Sequence, residues 1–210
     1  MFERFGAEYG LSRQDGPRGS VWREGRLDQV AGYEEFMAEY AGATFKHGAY
    51  RVHDADSASH AIDLISDAFP EFAETSLPFG YDWLGRQFVM DLSRVVGGEP
   101  QVLLLEPGTG DALEIPSSFL ELHDHELVDY SDAALASSFF ESWASIHRDS
   151  LPLARQQCVA YRVPLFLGGD DTLDNLELSD LEVYWTLCGQ LRKGIQGTDP
   201  GTSVRDVRLD

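Results

Sequence analysis

The sequence predicts an α+β fold, with an antiparallel sheet flanked by helices. Three observations predict it: helical periodicity on both sides of the chain's middle, a central series of short apolar strands divided by turn residues, and no regular βαβ alternation. The 210 residues are 43% hydrophobic and 11% aromatic, enough to bury a substantial core and incompatible with disorder as the overall state.

Each element has its own signal. The opening 26 residues are rich in Gly and Arg and weakly periodic, and are expected to be a loosely packed arm or docking segment. Val30, Tyr33, Phe36, Met37 and Tyr40 recur at helical spacing, and Gly42 can supply a left-handed stop. ATFKHGAYRVHD reads as a hairpin turning at Lys46, His47 and Gly48. SASHAIDLISDAF is a second helix ended by Pro70. From Tyr81 to Ile115 the period changes: RQFVMDL, QVLLLEP and DALEIP are strands separated by GGEP and PGTG, which predicts a meander. QVLLLEP is apolar at consecutive positions, as expected of a strand covered on both faces. SDAALASSFFESWASI predicts a helix with Leu135, Phe139, Trp143 and Ile146 on its buried stripe. CVAYRVPLFLGG predicts a strand bent or ended at Pro164. Ser179 to Glu182 form a capping box, after which Leu181, Tyr184, Trp185, Cys188, Leu191 and Ile195 share one helix face. The tail after Gly197 has no pattern and is expected to fray.

Charge narrows the function classes. The net charge is -20, and residues 27–190 alone hold seven basic and 29 acidic residues. Such a field repels nucleic acid and anionic membranes and attracts basic proteins. Cys158 and Cys188 have no Cys-x-x-Cys partner and read as reduced core residues. MFERFGAEYG lacks the apolar run of a signal peptide and no stretch approaches a membrane span, so the cytoplasm is the expected location.

Motifs for chemistry are sparse. GGDD at 168–171 has the composition of a metal or phosphate site, but no phosphate-binding Gly-rich loop ending in Lys-Ser or Lys-Thr occurs. Diguanylate cyclases follow such a turn with an aromatic, whereas Thr172 and Leu173 follow here. The plainer reading is a turn whose Asp170, Asp171 and Asp174 stay in water. In LHDHE, His123 and His125 would share a face if the segment were a strand, yet further ligands are not nominated. There is no Gly-x-Ser-x-Gly, neither cysteine has an electropositive setting, and His47, His53, His60 and His147 fall on expected surfaces. No catalytic residue, metal ligand or cofactor is assigned.

FGYDWLGRQF, LLLEPGTGDALEIPSSF, CVAYRVPLFLGGDDTLDNLELSDLEVYW and LCGQLRKGI, taken in order, resemble the C-terminal domain of type VI secretion DNase-immunity proteins. FGAEYG and YEEFMAEYAGATFKHGAYRVH look like the GAD-like segment that often precedes it. The resemblance implies a SUKH-like α+β immunity fold. It divides the chain into a GAD-like segment over 1–78, an immunity domain over 79–197 packed with it as one unit, and a flexible tail over 198–210. It also implies a non-enzymatic cytoplasmic binder that neutralises a toxin nuclease, with no direct nucleic-acid or membrane partner, and it places GGDD in a turn before a strand. A nuclease that attracts a polyanion presents a basic face, so an acidic inhibitor gains fast capture. The acids expected to face the toxin are Asp170, Asp171, Asp174, Glu177 and Asp180, together with Glu121, Asp124 and Glu126. Two alternatives stand beside this one: a SUKH-like general interaction or regulatory protein, and a metal-dependent phosphotransfer enzyme using the GGDD acids.

Overall fold

The computed structural model describes residues 1–10 and 19–195; the tail expected to fray, 198–210, lies outside them. Six antiparallel strands form one meander in chain order: β1 (Thr44–Phe45), β2 (Tyr50–Val52), β3 (Ser76–Asp82), β4 (Gln87–Val96), β5 (Glu99–Glu106) and β6 (Asp111–Ile115). The α+β expectation holds. Strands from both sides of residue 79 share this sheet. The expected β4 to β6 series is present, while β3 starts at Ser76, before the expected Tyr81. SLPFGYD does not alternate in hydropathy, because all seven residues are buried and each face of the strand is covered.

One face of the sheet is aromatic. Tyr50, Phe79, Phe88, Met90, Val102 and Leu104 pack there against α1 (Glu3–Tyr9), α2 (Tyr33–Tyr40) and residues 119–135. The start of the chain is therefore not a loose arm: Phe5 is 0% exposed, within ring contact of Phe36, Tyr40 and Phe45. Three apolar side chains, Phe2, Phe5 and Tyr9, supply the burial that the Gly and Arg content hides. The rest of the expected arm includes residues 11–18, outside the described residues, and Trp22, which is buried.

On the opposite face, Val89, Leu103 and Leu105 pack against α3 (Ala55–Ala68) and α8 (Leu181–Ile195) through Leu64, Ile65 and Trp185. Gly189 allows the two helices to approach, since a Cβ there would lie 3.1 Å from Ala68 Cβ. A second sheet pairs β7 (Gln157–Tyr161) with β8 (Leu176–Asp180), antiparallel, and its Val159 and Leu176 join Trp83 and Trp143 in a third cluster.

Two expectations are corrected. The expected helix over 131–146 is two, α6 (Ser131–Leu135) and α7 (Ser137–Ile146), separated by Ala136 at φ +50°. That turn resets the buried face, so Phe140 is buried alongside Trp143 and Ile146 is 66% exposed. The strand expected to bend or end at Pro164 ends three residues earlier, at Tyr161, and Leu165–Leu167 form a 3-10 turn after Pro164, which cannot donate to a ladder.

Candidate functional site

The GGDD loop is built as a turn. Gly168 has φ +88°, and a Cβ on Gly169 would lie 1.9 Å from Val163 O, so neither position accepts a side chain without displacement. Asn175 closes the loop by donating from Nδ2 to Val163 O and Asp170 O, both at 2.9 Å. Tyr161 hydroxyl donates to Asp171 at 2.7 Å. Asp180 caps α8, accepting from the amides of Glu182 and Val183 at 3.0 and 3.1 Å. Glu177 lies 3.5 Å from Arg162. The carboxylates of Asp170 and Asp174 have no side-chain or backbone partner among the described residues, and both are exposed.

The second expected acidic group sits elsewhere, because LHDHE is a turn of π-helix between α4 (Phe119–Glu121) and α5 (Leu127–Asp129), not a strand. That winding sends the two histidines in different directions. His123 is buried in the aromatic face, where Nδ1 donates to Phe119 O at 2.8 Å and Nε2 accepts from Tyr50 hydroxyl at 2.9 Å. Burial depresses its pKa to about 3, so it is neutral at ordinary pH. His125 is exposed beside Arg4. The neighbouring acids are engaged locally. Glu121 completes a capping box with Ser118, Asp124 accepts from the Phe5 amide at 3.1 Å, and Glu126 accepts from Ser117 hydroxyl at 3.1 Å. This group packs on the aromatic face, whereas α8 packs on the other, so the eight acids do not form one cluster.

Among the described residues, no group of three or more His, Cys, Asp or Glu side chains is placed to hold a metal ion. Both cysteines are free and buried, and burial pushes each thiol up to about 12, far from a reactive thiolate.

A polar layer that the sequence does not announce lies between the sheet and α3. Arg51 is fully buried and stacked on Tyr81, and it donates to the backbone oxygens of Ala154, Gln157 and Asp82. His53, expected on a surface, is buried against the other side of the Tyr81 ring. Strand β2 is too short to show alternation, and His53 follows it in register with Arg51, on the face away from Tyr50. His53 Nε2 meets Gln87 Oε1 at 2.8 Å, and burial lowers its pKa to about 4. Arg155 ties the chain before β7 to Val52 O and Gly42 O.

Next to this layer a cleft of about 270 Å³ opens between α3, the start of α8 and β3–β4. Ala61, Leu64, Tyr81 and Leu181 are apolar parts of its wall, and its polar lining includes Gln87, His60, Asp180 and Glu182 together with the cation Arg155. His60 Nε2 and Glu182 stand 3.3 Å apart. Gln87 is 0% exposed, and its Nε2 has no hydrogen-bond partner among the described residues.

Positive charge at the surface is mostly occupied. Of the seven bases within 27–190, Lys46, Arg86, Arg94 and Arg162 pair with acids, Arg51 and Arg155 hold backbone oxygens, and Arg148 Nε reaches Ser145 O. The surplus of acids is left to solvent. No helix among the described residues is long and apolar enough to cross a membrane.

Residues 117–192 match the family described as T6SS immunity protein Tdi1, C-terminal. The matched segment covers less than half of the chain, runs from α4 into α8 and includes the GGDD loop. A comparison with curated protein sequences gives no match. Among solved structures, the chain is similar to the one titled "Crystal structure of Atu4351 from Agrobacterium tumefaciens", with TM-score 0.59 and 15% identity over 90% of this chain and 89% of that one. At that identity the likeness concerns the fold.

Proposed function

We propose that this protein neutralises a type VI secretion nuclease, a DNase, in the cytoplasm of the cell that makes the toxin, by binding it through acids of the segment 170–180. Residues 1–78 and 79–197 act in this as one packed unit, as their common sheet suggests. The observation that carries the reading is the coincidence of two features in one segment. The stretch that matches the immunity family also holds Asp170 and Asp174, exposed and unpaired among the described residues, beside Asp171, Glu177 and Asp180.

The physics favours a cationic partner. With the basic side chains already engaged, the outward field is negative, and it accelerates encounter with a protein whose active face is built to attract a polyanion. Of the eight acids nominated from the sequence, Asp170 and Asp174 are the two whose carboxylates have no partner among the described residues, so the loop that holds them leads the recognition.

The test is stopped-flow association of purified protein with the toxin nuclease, comparing wild type with the Asp170→Asn, Asp171→Asn, Asp174→Asn, Glu177→Gln variant. At low ionic strength the variant is expected to associate roughly 10 to 100 times more slowly, with the two rates converging near half-molar salt as screening shortens the field. Equal rates at low salt would remove these acids from the interface. Loss of protection from co-expressed toxin is the cellular counterpart.

A further inference from the structure

We infer that the cleft between α3 and the start of α8 is an anchor pocket that receives one tyrosine side chain of the protein partner. The inference rests on the toxin-binding reading and names a contact within it. Size is the first argument. An apolar cavity of about 150 Å³ holds a benzene ring, whereas ligand sites for whole cofactors begin near about 300 Å³. A cleft of about 270 Å³ between α3, α8 and the sheet therefore suits a single aromatic side chain with its flanking atoms.

Polarity selects the residue. Ala61, Leu64 and Leu181 supply apolar wall, yet Gln87 lines the same cleft, buried, with one end of its amide unpartnered. His53 already takes the other end. A buried amide group without a partner is unfavourable, and an incoming group of the right polarity recovers that cost. Phenylalanine offers nothing to it. Lysine and arginine can only donate, whereas the vacant group, Nε2, is itself a donor. A phenol hydroxyl accepts from it while its ring fills the apolar wall, and because the hydroxyl also donates, either orientation of the amide is satisfied.

The rim fits the partner's charge. Asp180 and Glu182 bound the mouth, and the next residue, Val183, is 60% exposed, with Leu187 a turn further along α8. An aromatic anchor set in a pocket, with apolar contact and complementary charge around it, is the usual form of a binding hot spot.

The pocket can be probed without the toxin. Titration of the full chain with 4-methylphenol, a tyrosine side chain without its backbone, should shift the amide resonances of Ala61, Leu64 and Leu181 saturably. Toluene, which has the ring and not the hydroxyl, should bind at least threefold more weakly. His60→Trp is expected to cover the mouth, abolish the 4-methylphenol shifts and weaken toxin binding at least tenfold. Glu35→Gln, exposed on α2 across the sheet from the cleft, should stay within twofold of wild type for both ligands. Absence of saturable shifts, equal binding of toluene, or toxin affinity within twofold of wild type for His60→Trp would each overturn the inference. Failure of the wild-type protein to bind the toxin would instead overturn the proposed function, and the 4-methylphenol titration would still decide whether the cleft takes a phenol.

Discussion

On one face of the six-stranded sheet the chain buries rings: Phe2, Phe5, Phe36, Phe79 and Phe119 surround His123, whose two ring nitrogens both have partners. On the other face Arg51, His53 and Gln87 lie in the layer under α3, where Arg51 Nε and Gln87 Nε2 have no hydrogen-bond partner among the described residues. The two faces bury their side chains to different ends. A fully paired, ring-lined layer has nothing left to offer a partner. A layer with a vacant hydrogen-bonding group beside an open cleft does, and it is the face that carries α8 and the adjoining acidic loop.

The largest test of this contrast is Phe5→Ala. Truncating a buried ring costs about 3–5 kcal/mol, so if α1 is part of the aromatic layer, urea unfolding should show a loss in that range. A loss below about 1 kcal/mol would mean the start of the chain is an accessory to the layer, since that is the scale of surface substitutions.

Acid comes next, and here both faces contribute with the same sign. His123 and His53 have pKa values lowered to about 3 and about 4, against 6.5 for the free side chain, with burial the leading cause. Between pH 6.5 and those values the unfolded chain binds protons that the native protein refuses, so the stability they contribute is present above pH 6.5 and lost as pH falls. A tenfold difference in proton affinity between the two states corresponds to about 1.4 kcal/mol, so the combined loss is on the order of several kcal/mol. Glu106 opposes it: burial raises its pKa from 4.5 to about 7, so the native state takes up this proton first and gains stability as pH falls through 7 toward 4.5. Denaturation midpoints measured from pH 7 to 4.5 should therefore fall with acid, and fall more steeply in Glu106→Gln. A shallower profile in that variant would show that Glu106 is ionised throughout.

How much of this was legible in the sequence follows from which forces leave a linear trace. The hairpin at Lys46, the β4 to β6 meander and α8 were readable because hydrophobic period and turn residues act over a few neighbours. Ala136 is an alanine in a left-handed turn, a position where composition favours glycine, so the break between α6 and α7 carried no local sign. The acids after the double glycine were visible as a cluster, and their position in a turn was readable from Gly168 and Gly169. The capping box read at Ser179 to Glu182 located the start of α8 but not its cap, which is Asp180 accepting from the Glu182 and Val183 amides, whereas the engagement of Asp124 by the Phe5 amide spans 119 positions and had no signal. The cleft was invisible for the same reason. His53 and Gln87 each carry no signal in their own segments, and only the pairing of β2 with β3 and β3 with β4 sets them beside one another, while Arg155 joins them by donating to Val52 O.

The smallest expected effect is the sharpest comparison of the two faces. Tyr50→Phe removes the hydroxyl that satisfies His123 Nε2 and leaves a buried acceptor alone, at a cost of about 1–3 kcal/mol. Gln87→Leu does something different. It deprives His53 Nε2 of its partner, but it also removes the amide group that had none, so one unsatisfied group replaces another and the net change should lie within about 1 kcal/mol. The same substitution should erase the preference for 4-methylphenol over toluene while leaving the ring's apolar wall intact. A loss from Gln87→Leu as large as that from Tyr50→Phe would mean that the amide is fully paired in solution, and the vacancy that separates the two faces would not exist.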